Sequence, residues 1–306
     1  MSQKIVFMGT PEFSVPALES LVNSNHELLA VYSQPASKAK RGQKIIPSKV
    51  EIFAKKHSLR LRTPNSLDND EEYNYLKKLE PDIVVVIAYG KIIPKKFLNL
   101  SKHGFINVHA SLLPKWRGAA PIQRSIMNLD NQTGISIMKI EEKLDAGPIM
   151  HQDKIQINEN VDAFTLSKVL SKLGAKSIIN AIDKIEKGQA KFQEQNHSEA
   201  TYAKKISKTE GRIDWNESAK KVLAKINGLN PNPGAWFQYK NERFKVWKAE
   251  ITNKSNDAGK TIDDQLTIAC KDQSIKIIEI QKEGKNRQLT DEFLLGNKIK
   301  PGETLN

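Results

Sequence analysis

The apolar positions of this chain follow two rhythms, and one gives way to the other near residue 190. Before that point short apolar runs alternate with segments whose apolar residues recur every three or four positions: "KIVFMGT" then "SVPALESLVN", "ELLAVYS" then "PSKVEIFAKKHS", "EEYNYLKKLE" then "DIVVVIAYG". Strands alternating with amphipathic helices predict an α/β domain. "DIVVVIA" is continuously apolar after its first residue, as a central parallel strand covered on both faces must be. "GFINVHA", "GISIMKI" and "IMHQDKIQI" are further strands, and "DAFTLSKVLSKLGAKSIINAIDKIEKG" is a long helix with its stop signal at Gly188. Polar residues without apolar periodicity follow, so the division is a domain over 1–189, a connector over 190–206 and a second domain over 207–306. The second domain has one helical stretch, "ESAKKVLAKINGL", then "NPNPGAWF" and short alternating runs, "RFKVWKAEI", "QLTIAC" and "IKIIEIQK". Short strands separated by turn residues predict a small β-barrel with one helix.

The apolar strand "GFINVHA" carries two polar residues, Asn107 and His109, spaced two apart. Side chains alternate along a strand, so both point to one face while Val108 and Ala110 point to the other. Ligands gather at the carboxyl ends of strands in α/β sheets, and these residues sit at such an end. The next residues, Ser111, Leu112, Leu113 and Pro114, form a turn with apolar walls and free backbone donors and acceptors, suited to a flat heterocycle. Asp145, in "KLDAGPIM", follows another strand and is expected on the same side of the sheet. A carboxylate beside a histidine orients the imidazole and favours its charged form. The competing structural roles are a hydrogen-bonded core histidine for His109, a turn for Asn107 and a cap for Asp145. In "VFMGTPEF" there is one glycine where a dinucleotide fingerprint needs three, and Pro11 interrupts the turn. Gly9 therefore serves a tight turn and close packing, and without a P-loop the sequence excludes ATP and NAD.

Charge adds a partner. The 306 residues carry a net charge of +13. Between 38 and 62, Lys38, Lys40, Arg41, Lys44, Lys49, Lys55, Lys56, Arg60 and Arg62 face a single acid, Glu51. Such a stretch attracts phosphates, although lysine-rich composition also decorates solvated faces. "SKAKRGQK" has no apolar residue larger than alanine and is expected to be a solvated loop. The single cysteine, Cys270, lies in an alternating strand and excludes disulfides within the chain. No apolar run nears the roughly 18 to 20 residues of a membrane helix, and the N-terminus lacks the regions of a signal peptide. The expectation is a soluble, cytoplasmic protein that does not engage membranes.

"FINVHASLLPKWRGAAPIQRSI" together with "LDAGPI" resembles the folate-dependent formyltransferases. "KIVFMGTPEFSVPALE", "RGQKIIPSKV", "YAKKISKTEGRIDW" and "NPNPGAWF" extend the resemblance along nearly the whole chain, toward members whose acceptor is initiator methionyl-tRNA. It implies a doubly wound, mainly parallel, Rossmann-like sheet followed by an OB-like barrel that binds tRNA. It further implies Asn107, His109 and Asp145 as catalytic residues and Ser111, Leu112, Leu113 and Pro114 as the folate-binding turn. Arg41, Gly42 and Lys44 fall on the segment that engages tRNA. The co-substrate would be 10-formyltetrahydrofolate, with no metal, and the protein a monomer. A formylase acting on a small amine, such as glycinamide ribonucleotide or an amino sugar, shares the three catalytic groups. A catalytically silent RNA-binding protein on the same scaffold would explain the charge but not the three groups.

Overall fold

The computed structural model describes residues 2–39 and 44–305. Two compact units result, and neither is one continuous stretch: the first takes residues 1–118, 133–155 and 167–202, the second 119–132, 156–166 and 203–306. The first is built on seven strands, β1 (Lys4–Gly9), β2 (Glu27–Tyr32), β3 (Leu61–Arg62), β4 (Ile83–Ile87), β5 (Phe105–His109), β6 (Gln132–Lys139) and β7 (Ile149–Gln156). They lie in the order β7-β6-β5-β4-β1-β2-β3. The pairs from β5 to β3 are parallel, and β5 with β6 is antiparallel. All five residues of β4 are buried, as its unbroken apolar run requires of a strand shielded on both faces.

The chain lays β1, β2 and β3 outward in one direction and then returns to place β4 on the other flank of β1. Strand order therefore reverses between β1 and β4, the position where open α/β sheets hold ligands at their carboxyl ends. The helices α1 (Val15–Val22), α2 (Lys49–Lys56) and α3 (Asp70–Leu79) fall where the apolar periodicity predicts them. Ser48 and Asn69 cap α2 and α3 by accepting from the third backbone N–H beyond them, which satisfies donors that the first turn leaves open. Gly9 ends β1 in close packing: a Cβ there would lie 2.7 Å from the Phe7 ring and 2.9 Å from Ser14 Cβ.

A short helix not expected from the periodicity, α4 (Pro121–Met127), begins where "WRGAAP" ends, with Pro121 in the first turn as helix starts favour. The long helix is α5 (Ala163–Glu186), and Gly188 beyond it has a φ of 67°, the left-handed stop expected there. In the second unit α4 packs on α6 (Ala219–Leu229). A Cβ at Gly228 of α6 would stand 2.6 Å from Met127 Cγ, so the contact is close. The sheet of this unit comprises β8 (Ala235–Tyr239), β9 (Glu242–Thr252), β10 (Thr267–Ala269), β11 (Ser274–Lys282) and β12 (Gln288–Leu289), ordered β8-β9-β11-β10 with β12 beside β11. Its core holds Trp215, Phe237, Phe244 and Phe293, the rings of Phe237 and Phe244 stacked at 5.5 Å. The pairings among these five strands are antiparallel, and among the described residues the outer sides of β8 and β10 meet only single bridges, to Arg212 and to Thr261, and not each other, so no closed barrel is found. Alternation fixes the faces of strands but not which edges meet, which is why closure was not readable.

The basic segment also differs from the expected loop. Ser37–Ala39 pairs antiparallel with Lys44–Ile46, so the backbone of Lys38 and of Lys44 belongs to a short ladder. Arg41 and Gly42 lie outside the described residues. Among the described residues no helix is long and apolar enough to cross a membrane.

Candidate active site

Strand β5 delivers Asn107 and His109 to one face, and Asp145 meets both. Asn107 Nδ2 stands 3.5 Å from Asp145 Oδ1, the outer limit of a hydrogen bond, and His109 Nδ1 stands 3.6 Å from Asp145 Oδ2. The Gly118 N–H donates to Asp145 Oδ2 at 2.8 Å. His109 is buried, and its Nε2 lies 2.9 Å from the Trp116 carbonyl. A carbonyl only accepts, so Nε2 carries a hydrogen and Nδ1 is the nitrogen turned to the carboxylate. Trp116, at φ 62°, and Asp145, at φ 49°, both lie in the left-handed region, which costs the tryptophan more than the aspartate.

Asp145 reaches this place by a route other than the one expected. Strand β6 runs against β5, with Lys139 beside Ile106, so it ends near the start of β5 and not at its carboxyl end. The loop 140–148 must fold back to bring the carboxylate to His109. Gly147 makes the fold possible: a Cβ there would lie 2.2 Å from the Lys139 carbonyl oxygen, where no side chain fits.

The turn Ser111–Pro114 follows β5 directly, but its backbone is less free than the sequence suggests. Ser136 Oγ donates to the Ser111 carbonyl at 2.7 Å and accepts from the Leu113 N–H at 3.0 Å and from Gln152 Nε2 at 2.8 Å. Gln152 Nε2 also donates to the Leu113 carbonyl at 2.9 Å, and the Leu112 carbonyl accepts from the Lys115 N–H. These bonds fix the turn's shape, so its hold on a ring would come from shape and from the second lone pairs of its carbonyls. Ser111 and Leu113 are buried, Leu112 and Pro114 partly so.

Three further features were not singled out from sequence. The loop after β4 enters the switch point with positive φ at Ala88 and Gly90, and the Tyr89 carbonyl accepts from Thr10 Oγ1 at 2.8 Å and Gln34 Nε2 at 2.9 Å. This ties the ends of β1, β2 and β4 together. Arg117 is a buried guanidinium bonded to Gln195 and His197. Thr201 accepts from the Trp116 N–H through its hydroxyl and from the Arg117 N–H through its carbonyl, both at 2.9 Å. The polarity that marked 190–206 as a connector reflects, in part, hydrogen bonds made back to the site.

Residues 3–182 match the family described as formyl transferase, and residues 205–298 match its C-terminal domain. Sheet, switch point and family match together define a formyltransferase. Over its full length the chain is 53% identical to the methionyl-tRNA formyltransferase of Pelagibacter ubique, covering 99% of that relative. It is 41% identical to the protein of that name from Bradyrhizobium diazoefficiens, over 99% of each chain. The chain belongs to the methionyl-tRNA formyltransferase family. Solved structures share the fold at lower identity. HypX from Aquifex aeolicus, in complex with tetrahydrofolic acid, superposes with a TM-score of 0.68 at 17% identity, over all of this chain and 50% of that one. An N-formyltransferase from Helicobacter canadensis, in complex with folinic acid and dTDP-3-aminofucose, gives 0.70 at 18% identity, over 92% of this chain and all of that one.

Proposed function

We propose that this protein transfers the formyl group of 10-formyltetrahydrofolate to the α-amino group of methionine on initiator methionyl-tRNA. The observation that supports this reading most is the meeting of Asn107, His109 and Asp145 within 3.6 Å, beside the carboxyl end of a central strand. The amine attacks the formyl carbon, a C–N bond forms, and charge collects on the formyl oxygen. Asn107, whose amide is held at the limit of a hydrogen bond, turns an N–H toward that oxygen, and the His109 ring supplies a second donor, the Nε2–H that the Trp116 carbonyl accepts before substrate enters. Asp145 accepts the proton lost by the amine and holds the imidazole in place while the bond to the folate nitrogen breaks. The departing nitrogen takes the proton back, and tetrahydrofolate leaves.

Ser111, Leu112, Leu113 and Pro114 form the wall on which the folate ring rests. Arg41, Gly42 and Lys44 take the acceptor end of the tRNA. Within the division 1–189, 190–206 and 207–306, the last part, a five-stranded antiparallel sheet in the manner of a partly open OB fold, carries the tRNA backbone. The protein works as a monomer in the cytoplasm. The test is a choice of acceptors: purified protein is given 10-formyltetrahydrofolate with methionyl-initiator tRNA, free methionine, glycinamide ribonucleotide or a nucleotide-linked amino sugar. Formylation of the tRNA alone is expected. Preferential formylation of a small amine overturns the reading in favour of a small-molecule formylase.

A further inference from the structure

We propose that Gln195, far along the chain from the three central groups, is the positioning residue that sets Asp145. Resting on the proposed formyl transfer, this inference names the group that shapes its site. The Gln195 amide is fully used. Its Nε2 donates to the Asp145 carbonyl at 2.9 Å and to the Gly147 carbonyl at 2.7 Å, and its Oε1 accepts from Arg117 Nε at 3.1 Å and Nη2 at 2.7 Å. The orientation of the amide is forced. Turned over, it would set an NH2 against a guanidinium and an oxygen against two carbonyls, four repulsive pairs in place of four bonds.

Arg117 is held in turn. It is buried, and its Nη2 lies 2.9 Å from His197 Nδ1, which must accept because a guanidinium has only donors. The next residue, Gly118, gives its N–H to Asp145 Oδ2. Asp145 is thus gripped twice, its backbone by Gln195 and its carboxylate by the segment that Gln195 binds. The grip answers a need, since a non-glycine residue at positive φ relaxes toward other conformations unless its surroundings over-determine it. Without Gln195 the loop 140–148 loses the two bonds to its carbonyls at Asp145 and Gly147, and the carboxylate moves away from His109.

Two variants test this. Gln195→Met keeps the volume and removes all four bonds. Gln195→Glu keeps the two contacts to Arg117, now as an ion pair, and replaces the donor to Asp145 and Gly147 with an oxygen that their carbonyls repel. Each should lower kcat for methionyl-tRNA by about ten- to hundredfold, the usual effect of losing an orienting partner, with KM for both substrates within about twofold of wild type. In an Asp145→Ala background either change should have no further effect, because a residue that acts through another is silent once that other is gone. A residue with a merely structural role would give additive losses there. The crystal structure of the Gln195→Glu variant reads the same claim without activity: the Asp145 carboxylate should leave the Gly118 N–H. An unmoved carboxylate, a kcat within threefold of wild type, or additivity with Asp145→Ala would each overturn the proposal. Wild-type protein that formylates no tRNA would instead overturn the proposed function, while the position of Asp145 in the variant would still judge this inference.

Discussion

Ser136 uses one donor and two acceptor positions, the full capacity of a hydroxyl, on holding the turn after β5. It is completely buried, so Ser136→Ala leaves the Leu113 N–H and the Ser111 carbonyl without this partner, at a cost of about 1 to 3 kcal/mol in stability. If the turn carries the folate ring, KM for the formyl donor rises about tenfold, equivalent to about 1.4 kcal/mol of binding, while kcat falls less than threefold. Steady-state kinetics with the donor varied separates this from damage to the chemical step, which would lower kcat instead. Ser136 could not be chosen from sequence, because in "GISIMKI" it is one polar residue in an apolar strand, with nothing to show which segment it faces. Asn107 and His109 were legible because the period of a strand fixes their common face whatever surrounds them. Asp145 was legible as a candidate, but its path was not, since strand direction depends on a pairing that the sequence of β6 does not state.

At the level of elements, loop 140–148 and the contact of α4 with the chain after 203 carry the most consequence. Gly147→Ala drives a Cβ to 2.2 Å from a backbone carbonyl, which cannot swing aside as a side chain would. The loop must shift. The expected result is a stability loss of about 1 to 3 kcal/mol with a larger fall in kcat than in affinity for either substrate, measured by melting and by single-turnover rates on the same preparation. In the second unit Arg124 of α4 donates to Glu210 at 2.7 Å and to the Lys204 carbonyl, and its guanidinium holds the Glu210 carboxyl below the usual glutamate range. A carboxylate depressed by folding adds stability above its unfolded pKa, about 4.3, and that stability is lost as pH falls through the lower folded value. Arg124→Met should therefore lower Tm near pH 7, and the difference from wild type should narrow as pH drops below about 4, leaving the part due to the Lys204 carbonyl. A constant difference across that range would remove Glu210 from the explanation. The main strands and helices were readable from periodicity. Helix α4 was not, because only seven residues give too few turns for a periodic signal and Pro121 reads equally as a turn.

Across the whole molecule the charge is uneven, and the nine basic residues between 38 and 62 supply much of the net +13. Arginine suits phosphate because its planar fork donates two bonds at once, a geometry lysine lacks. Arg41→Ala should lower kcat/KM on methionyl-tRNA at least tenfold and make its salt dependence shallower by about one phosphate contact, with Arg41→Lys restoring only part. Slow hydrolysis of the formyl donor without tRNA should not change. Equal loss of both activities would assign Arg41 to the fold or the folate site. The interleaving of the two compact units was not readable from the change of rhythm near 190, since it arises from contacts between distant segments such as α4 and α6.

The proposed transfer requires Asn107 and His109 to act on the formyl group and not on the tRNA. The measurement that tests this most directly is the single-turnover rate of formyl transfer to methionyl-initiator tRNA, with enzyme in excess, for wild type, Asn107→Ala and His109→Ala, alongside tRNA affinity on the same preparations. The predicted result is a fall in rate of about 100-fold or more for each variant, the scale of a lost oxyanion donor, with tRNA affinity unchanged. Rates within threefold of wild type for either variant would contradict it.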